Sequence, residues 1–339
     1  MNRAIEIVRD ADLTDLTTFR LPARTAELAI LHSPEQIAAL PPTDKDQLVL
    51  GGGSNTLFIG NWPGRILLNR LSGLSFEDRG DDVLVTAAAG ENWHQLVRTC
   101  IDRGLHGLEN LIMIPGSVGA APMQNIGAYG VELSDLTEHV DAWDRVEQRP
   151  CRLSRKECDF AYRDSRFKSG EPGRFLITSV TLRLSRQFKP DTRYASLRDA
   201  LDQAGIDQPT ARQLAATVMR LRRHRLPDPA RLSNAGSFFK NPIVDEAQAR
   251  DLLSSHPDLP HWPMPDGRIK LGAGRMIETL GWKGKFVGDA GVYARHALVL
   301  VNRGQATTTD LLALINAIQD SVEREFGQRL EPEPLIIGG

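Results

Sequence analysis

Three short segments hold side chains whose types could carry acid–base or electrostatic chemistry. The first is Tyr162-Arg163, a phenol beside a guanidinium in a polar stretch. A guanidinium fork matches a carboxylate at two points, so this pair could bind an acidic substrate. A surface ion pair between Arg163 and Asp164 is the simpler interpretation, and these residues alone favour it.

The second segment runs from 233 to 242 and surrounds one hydroxyl, Ser237, with small residues, two aromatics and a lysine. Ser237 lacks the Gly-x-Ser-x-Gly elbow, and no histidine is tied to it by sequence, so a hydrolase nucleophile is not indicated. A hydroxyl that moves a proton and a capping serine both remain open. The third segment, Leu330 to Glu333, places two carboxylates near the end of the chain.

Two glycine-rich stretches could position a ligand beside these groups. Residues 111–131 contain no ionisable side chain apart from the phenol of Tyr129, and their glycines and prolines forbid a continuous apolar helix. Such backbone suits a flat cofactor ring, since glycine allows close approach and exposes amides. A buried loop packed on its own core is the alternative.

The other stretch is 51–56, GGGSNT, directly after the predicted strand 47–50. Its amides and hydroxyls suit a pyrophosphate, although it is neither the dinucleotide-binding fingerprint nor a P-loop. A plain tight turn explains it equally well.

Composition excludes several classes of function. The net charge is −2, with 41 basic and 43 acidic residues among 339, which gives no global signal for nucleic acid or anionic membrane. The basic run 220–225 ends a predicted helix, where it complements the helix dipole or holds an acidic ligand such as a diphosphate. Histidines and the three cysteines show no metal-ligand spacing, so no catalytic metal is expected. With no apolar leader or span, we expect a cytoplasmic protein.

Hydrophobic periodicity predicts alternating strands and helices, as in an α+β or α/β unit. The predicted strands are 47–50, 66–68, 83–87, 140–143, 175–184 and 297–301. The predicted helices are 92–101 with Asn92 as N-cap and Cys100 in the core, a short one after Tyr194, 211–224 with Leu214, Val218 and Leu221 on one face, and 308–326 with Leu311, Leu312, Ile315, Ile318, Val322 and Phe326 as its stripe.

Six segments in order resemble the UDP-N-acetylenolpyruvoylglucosamine reductase family over nearly the whole chain. They are 51–55 (GGGSN), 115–120 (PGSVGA), 124–130 (QNIGAYG), 161–165 (AYRDS), 234–242 (NAGSFFKNP) and 330–333 (LEPE). Each is weak alone, but together they are specific. A tyrosine segment like that around Tyr194 belongs to the family's longer type, in which it closes over the substrate.

The resemblance implies an α+β fold with a two-subdomain FAD-binding part of the vanillyl-alcohol-oxidase (PCMH) type and an α+β substrate domain. The implied division is 1–69 and 70–186 for the FAD-binding subdomains, 187–329 for the substrate domain, and 330–339 for a tail returning to the active site. The implied cofactors are NADPH and non-covalent FAD, since neither glycine loop contains a histidine or cysteine. The protein is expected to act as a monomer.

Family membership would also assign roles to individual residues. Flavin contacts are implied for Gly51, Gly52, Gly53, Ser54, Asn55, Thr56, Pro115, Gly116, Ser117, Gly119, Ala120, Asn125, Gly127, Ala128, Tyr129, Gly130 and Ile177. Contacts to the substrate, UDP-N-acetylglucosamine enolpyruvate, are implied for Tyr162, Tyr194, Arg222, Arg225, Lys240, Asn241 and Lys283.

The implied reaction makes UDP-N-acetylmuramate for peptidoglycan. Hydride passes from NADPH through FAD to C3 of the enolpyruvyl group, and Ser237 gives a proton to C2. Arg163 polarises the carboxylate as charge develops, and Glu333 supports the intermediate or relays protons. Glu331 is the weaker candidate, since the family pattern uses the second glutamate.

Two departures from the family pattern affect substrate binding. Pro334-Leu335 stands where Val-Arg is usual, which removes one cation, and Arg225 stands where lysine is common. Two other functions remain open: another flavin oxidase or dehydrogenase of the same superfamily, and a non-catalytic flavin or nucleotide-sugar binding protein.

Overall fold

The computed structural model describes residues 4–338, and the chain divides into two compact units. The first unit contains residues up to 11, 25–53 and 63–223. The second contains 12–24, 54–62 and everything from 224 onward. Residues 187–223 therefore group with the first unit by their contacts. The four-part domain division stays a prediction.

Strands and helices both contribute extensively to the described chain. The strands are β1 (Glu6–Asp12), β2 (Arg24–Leu31), β3 (Gln47–Leu50), β4 (Thr56–Phe58), β5 (Trp62–Asn69), β6 (Leu74–Arg79), β7 (Asp82–Ala88), β8 (Gly127–Ala128), β9 (Val131–Glu132), β10 (Thr137–Asp144), β11 (Arg149–Ser154), β12 (Phe175–Ser185), β13 (Ser233–Ser237), β14 (Ile243–Val244), β15 (His261–Pro263), β16 (Ile269–Leu271), β17 (Phe286–Val287), β18 (Ala290–Val292), β19 (Val299–Asn302) and β20 (Leu335–Ile337). The α-helices are α1 (Glu35–Ala38), α2 (Trp93–Asp102), α3 (Ala195–Asp202), α4 (Ala211–Arg225), α5 (Glu246–Ser255), α6 (Ala273–Thr279) and α7 (Thr308–Phe326).

Two sheets organise the first unit. One has the order β1-β2-β5-β3, with β3 and β5 parallel, so the loops that follow these two strands leave from the same edge. The other has the order β11-β10-β12-β7-β6 and is antiparallel throughout. Alternating side chains of its central strands, Val85, Val140 and Val180 among them, enter one large hydrophobic core.

Helix α2 packs on that core as its periodicity predicts. The Asn92 side chain accepts a hydrogen bond from the Gln95 amide at 3.0 Å, which confirms the predicted N-cap. The indole of Trp93 is buried and donates to the Leu111 carbonyl at 3.0 Å, linking the helix to the uncharged loop. Cys100 is buried as predicted, and burial raises the pKa of its thiol to about 12, so it is a core residue rather than a nucleophile.

The second unit is built on a sheet of order β13-β19-β18-β17. A smaller sheet has the order β14-β16-β15, and helix α5 connects β14 to β15 along the chain. Helix α7 begins with a capping box between Thr307 and Asp310 and ends at Gly327, whose φ is 63°. Its buried face also contains Leu314 and Gln319, which were not predicted, whereas the predicted Leu312 is only half-buried.

The structure corrects the predicted start of one strand, β19, and shows where helix α4 ends. Strand β19 begins at Val299, so the predicted start at Ala297 is wrong. Leu298 lies in the preceding turn, where its amide donates to the His296 ring. Helix α4 ends at Arg225, as expected from the proline at 227, which disfavours helical backbone in the residue before it. Within residues 4–338 no helix is both long and apolar enough to cross a bilayer.

Candidate active site

The two glycine loops of the first unit lie directly against each other. A Cβ atom at Gly51 would fall 2.3 Å from the Ser117 Oγ, and one at Gly52 would fall 2.8 Å from the Gly116 Cα. Gly119 is equally close to Ala89, at 2.5 Å. A side chain at these positions would therefore collide with neighbouring atoms, and at Gly52 those atoms are backbone. Both stretches that were predicted to bind a cofactor belong to one place in the fold.

Ser117 carries a buried hydroxyl at this junction that lacks a hydrogen-bond partner among the described residues. The backbone around it is fixed, because the Trp93 amide donates to the Gly116 carbonyl at 3.1 Å and the Gly119 amide donates to Ala89 at 2.8 Å. Burying an unsatisfied polar group costs about 1–3 kcal/mol. The rigid, unpartnered hydroxyl among close-packed glycines thus fits a ligand with acceptor oxygens, such as the pyrophosphate of FAD.

Two further residues, Asn69 and Arg70, donate hydrogen bonds to backbone at this junction, and no sequence motif indicated them. Arg70 Nη1 donates to the Gly51 carbonyl at 3.1 Å, and burial lowers the pKa of its guanidinium. Asn69 Nδ2 donates to the Ile177 carbonyl at 2.9 Å, so Ile177, a predicted flavin contact, is held through its backbone. The parallel pairing of β3 with β5 brings the end of β5 beside the loop after β3, and the sequence carries no local signal of that pairing.

Arg163 stands at the tip of a tight turn. Ala161 and Asp164 exchange backbone hydrogen bonds at 3.0 and 3.2 Å, which leaves Tyr162 and Arg163 as the two central residues. Arg163 has a φ of 55°, a conformation that such turns usually assign to glycine or asparagine. Its Nη2 donates to the Gly127 carbonyl at 3.1 Å. The turn therefore aims the guanidinium at the hairpin formed by β8 and β9.

Asn125 fixes that turn from the uncharged loop. Its side chain is buried and donates to the Ala161 carbonyl at 3.2 Å and to a Glu132 carboxylate oxygen at 2.7 Å. Its own Oδ1 accepts from the Ser134 amide at 2.9 Å. Asn125 was predicted to contact the flavin, and the structure shows its side chain bonded within the protein. Its observed role is to connect the loop, the hairpin and the Arg163 turn.

A second cation approaches Arg163. The Arg222 Nε is buried without a partner among the described residues. Burial lowers the pKa of Arg222, the neighbouring Arg163 cation lowers it further, and Tyr129 raises it. Two neighbouring guanidinium groups repel each other, and a bound anion between them would offset this repulsion. This part of the first unit is therefore suited to an anionic group such as a carboxylate or phosphate.

Two predicted ligand-contacting tyrosines meet in the first unit. The Tyr129 and Tyr194 rings are edge to face, with centroids 5.3 Å apart, and Tyr194 is 42% exposed. Gly127 and Ala128 form β8, while Tyr129 and Gly130 turn the chain with φ values of 50° and 90°. The hairpin thereby places Tyr129 between the Arg163 turn and the Tyr194 segment.

In the second unit, the C-terminal tail returns to the Ser237 segment. Ser237 ends strand β13, opposite Val299, and follows Gly236, whose φ is 74°. The Glu333 amide donates to the Phe238 carbonyl at 2.7 Å, and the Lys240 amide donates to the Glu331 carbonyl at 2.9 Å. These bonds bring the serine segment and the two-glutamate segment together. The return of the tail to an active site stays a prediction.

The two glutamates have different surroundings. Glu331 is 74% exposed at its side chain, and its carboxylate pairs with Lys240 Nζ at 3.0 Å. Glu333 is half-buried, and Asn55 Nδ2 donates to its carbonyl at 3.3 Å. Strand β20 then pairs in parallel with β4, so Thr56 lies opposite Leu335. Asn55 and Thr56, predicted flavin contacts, are seen fastening the tail that carries Glu333.

Two predicted substrate contacts of the second unit, Lys283 and Asn241, form hydrogen bonds within that unit. Lys283 Nζ pairs with Glu278 at 2.9 Å, and Asn241 Oδ1 accepts from the Ala273 amide at 3.0 Å at the start of α6. Arg225 and Lys283 both lie close enough to His296 to lower the pKa of its imidazole, although burial is the larger cause. The Glu278 carboxylate, which pairs with Lys283, acts on the pKa of His296 in the opposite direction.

No set of three or more histidine, cysteine, aspartate or glutamate side chains within residues 4–338 is arranged to hold a metal ion. The three cysteines are all free, and burial raises the pKa of the Cys158 thiol to about 12.

Comparisons with known proteins agree with this geometry. Residues 37–148 match the model of an FAD binding domain, and residues 228–337 match the C-terminal domain of UDP-N-acetylenolpyruvoylglucosamine reductase. The chain is 48% identical over 332 residues to the UDP-N-acetylenolpyruvoylglucosamine reductase of Bordetella pertussis, covering 96% of this chain and 94% of that protein. It is 46% identical to that of Azoarcus sp., covering 98% of both.

The crystal structure of the reductase from Thermus caldophilus superposes with a TM-score of 0.68 at 27% identity, covering 98% of this chain and 99% of that one. The predicted α+β fold class with an FAD-binding part is confirmed by the mixed helix and strand content, the family model and this structure. On these similarities, the chain belongs to the UDP-N-acetylenolpyruvoylglucosamine reductase family.

Proposed function

We propose that this protein reduces UDP-N-acetylglucosamine enolpyruvate to UDP-N-acetylmuramate, a peptidoglycan precursor, with FAD and NADPH. The observation that supports it best is the junction of the two glycine loops around the unpartnered Ser117 hydroxyl, beside the Arg163 turn. We further propose that it acts in the cytoplasm as a monomer on a small molecule, without nucleic acid or membrane.

The residues that would hold FAD are those of the two loops. Gly51, Gly52 and Gly119 let the surrounding segments pack closely because they lack side chains, and Ser117 would offer a hydroxyl to the phosphates of FAD. The 124–130 loop presents backbone to the ring. When bound, FAD supplies the two-electron chemistry that links NADPH to C3 of the enolpyruvyl group.

Arg163 has the electrostatic role in this proposal. Addition of hydride to C3 leaves negative charge on C2 and its carboxylate, and a fixed guanidinium stabilises that charge without reorganising. The strained turn and the Gly127 contact hold Arg163 in place before the substrate arrives. Arg222, near Arg163, would hold a second anionic group of the UDP-sugar.

Ser237 would give the proton to C2, and Glu333 would support that proton transfer. A hydroxyl is a weak acid, so the step depends on its position and on the strong basicity of the carbanion. Both residues lie in segments that backbone hydrogen bonds join. Tyr162, Tyr194, Arg225, Lys240, Asn241 and Lys283 complete the proposed set of substrate contacts.

The test follows the visible absorption of the flavin without oxygen. The purified protein is reduced with NADPH, and UDP-N-acetylglucosamine enolpyruvate is then added. Bleaching with prompt recovery is the expected trace. Bleaching without recovery would favour another oxidase or dehydrogenase of the superfamily, and the absence of any flavin spectrum after FAD is added would contradict the flavoprotein assignment.

The Ser237→Ala variant assigns the proton donor in the same experiment. Reduction by NADPH should proceed at the wild-type rate, because the serine takes no part in it. Recovery should be slowed by about 100-fold or more, the usual effect of removing a positioned acid. Rapid recovery in this variant would show that another group protonates C2.

A further inference from the structure

Asn110 is a buried asparagine whose side chain joins two segments of the first unit. It lies in the short turn of 3₁₀ helix Glu109–Leu111 and is 2% exposed. Its Nδ2 donates to the Tyr129 carbonyl at 2.8 Å and to the Asp191 carbonyl at 2.9 Å. These two acceptors lie 19 and 81 residues away in the chain. The side-chain amide of Asn110 thus bonds both the β8–β9 hairpin and the segment before α3.

One acceptor belongs to Tyr129, and the other, Asp191, precedes Tyr194 by three residues. Tyr129 itself has a φ of 50°, and its carbonyl is the one that Asn110 holds. Asp191 begins a turn in which its Oδ1 accepts from the Arg193 amide at 3.1 Å, and Tyr194 follows as the N-cap of α3. Asn110 is therefore bonded to the backbone next to both rings of the edge-to-face pair.

We propose that Asn110 is a positioning residue for substrate binding: by fixing Tyr129 and Asp191 together, it holds Tyr194 in the orientation that receives the UDP-sugar. This inference rests on the proposed function, in which Tyr194 contacts that substrate. Asn110 touches neither substrate nor flavin and acts through the tyrosines. Without its two donated hydrogen bonds, the exposed Tyr194 segment must be ordered when the substrate binds, and ordering costs affinity.

The first test measures reoxidation of the reduced flavoprotein at varied concentrations of UDP-N-acetylglucosamine enolpyruvate. Asn110→Ala should raise the half-saturating concentration about tenfold, because loss of one or two buried hydrogen bonds is worth about a factor of ten. The limiting rate should stay within about threefold of wild type, since the reacting groups are intact. An unchanged half-saturating concentration would overturn the proposal.

A matched control separates positioning from general loss of stability. Thr25 is also buried in the first unit, where its Oγ1 donates to the Gly64 carbonyl at 2.9 Å between β2 and β5. Thr25→Val removes this donor with little change of shape and should leave the half-saturating concentration unchanged. If Asn110→Ala does not fold, Asn110→Ser, which keeps a small polar side chain, replaces it.

A double-mutant cycle tests whether Asn110 acts through Tyr194. In a Tyr194→Ala background, Asn110→Ala should raise the half-saturating concentration by less than about twofold, because the group it positions is gone. An undiminished tenfold effect in that background would contradict the proposed route.

Hydrogen exchange of the FAD-loaded protein without the sugar distinguishes failure of this inference from failure of the proposed function. Asn110→Ala should speed amide exchange in residues 189–197, whereas Thr25→Val should not. If wild type is not reoxidised by the sugar, the proposed function fails, and the exchange result still decides whether Asn110 orders the Tyr194 segment. Equal exchange in both variants would overturn the positioning role.

Discussion

Arg163 occupies a left-handed backbone conformation, which is unfavourable for a residue with a side chain. Its φ of 55° lies in the left-handed region, at a cost of about 1–3 kcal/mol. Two contacts restrain the turn, the bond from Asn125 to Ala161 and the bond from Arg163 to Gly127. A strained turn kept in place by buried bonds is the arrangement expected for a preorganised catalytic cation.

Arg163→Gly should therefore separate stability from activity. Glycine relieves the left-handed strain but loses the bond to Gly127, worth about 1 kcal/mol, so the free energy of unfolding should change by less than about 1 kcal/mol. Reoxidation by the enolpyruvyl sugar should fall by about 100-fold or more, since a fixed donor to developing charge is lost. Denaturant unfolding and the anaerobic trace measure the two effects.

Asp159→Gly is the matched control, because Asp159 is exposed and has a φ of 46°. It should relieve comparable backbone strain without slowing reoxidation. A large loss of stability in Arg163→Gly would mean that the side chain is structural, and equal rates in both variants would remove Arg163 from the mechanism.

The two C-terminal glutamates offer a second comparison between neighbouring residues. Glu331 forms an exposed ion pair with Lys240, and such pairs contribute about 0–1 kcal/mol, so Glu331→Gln should change turnover by less than about fivefold. Glu333 is half-buried where its segment bonds Phe238, and Glu333→Gln should slow reoxidation by about 100-fold. Equal effects of the two substitutions on the reoxidation rate would undo the assignment of Glu333.

At the level of elements, the contact between the two glycine loops determines whether a cofactor can bind. A Cβ at Gly52 would lie 2.8 Å from backbone, at the Gly116 Cα, so neither loop can accommodate Gly52→Ala without moving. Such overpacking costs about 1–3 kcal/mol, and we expect the dissociation constant for FAD to rise by about tenfold or more. Titration of the apoprotein with FAD measures it.

Gly170→Ala is the control for this prediction. A Cβ there would meet only the Arg166 side chain, at 3.5 Å, which is an ordinary contact. Its affinity for FAD should match that of wild type. If Gly52→Ala binds FAD equally well, the loop contact does not define the flavin site.

Local sequence predicted the elements whose stability is local. Helix α2 combines a capping asparagine with an apolar face, and β3 is a short apolar run before glycines, so both were predicted correctly. Strand β13 reads Ser-Asn-Ala-Gly-Ser, which has little strand propensity, and it exists because it pairs with β19 some sixty residues later. The parallel pairing of β4 with β20 spans nearly the whole chain and leaves no local signal.

Some residues of the candidate site could also be predicted from local sequence, and others could not. Gly52 and Ser117 could be singled out because glycine runs and polar residues in an uncharged loop are visible in the sequence. The supporting residues Asn69, Arg70 and Asn110 could not, since a buried asparagine or arginine acts through carbonyls that only the folded chain brings near.

Across the whole molecule, both units contain a histidine that must be neutral to keep its observed hydrogen bond. In the first unit the Met113 amide donates to His94 Nδ1 at 3.3 Å, and in the second the Leu298 amide donates to His296 Nδ1 at 3.3 Å. Protonation would replace each acceptor by a donor. Burial is the main cause that lowers the pKa of both imidazoles, and nearby arginines lower it further. Burial similarly lowers the pKa of His139.

Stability should therefore depend on pH in a defined direction. Because the folded-state pKa of these histidines lies below the ordinary value of 6.5, the unfolded chain binds more protons in this range. Their contribution is fully present above pH 6.5 and is lost as the pH falls through that value towards the lower folded-state pKa. The carboxylate of Asp144, whose pKa the Arg174 guanidinium lowers to about 2, loses its contribution only at more acidic pH.

A double variant, His94→Asn with His296→Asn, tests this directly. Asparagine Oδ1 can accept the same amide bonds but does not titrate, so the free energy of unfolding should vary less between about pH 7.5 and 5 than in wild type. The residual slope should come in part from His139. Replacing the exposed His32 by asparagine should leave the wild-type slope unchanged. A double variant that loses stability with falling pH as steeply as wild type would show that other groups control the acid limit of this fold.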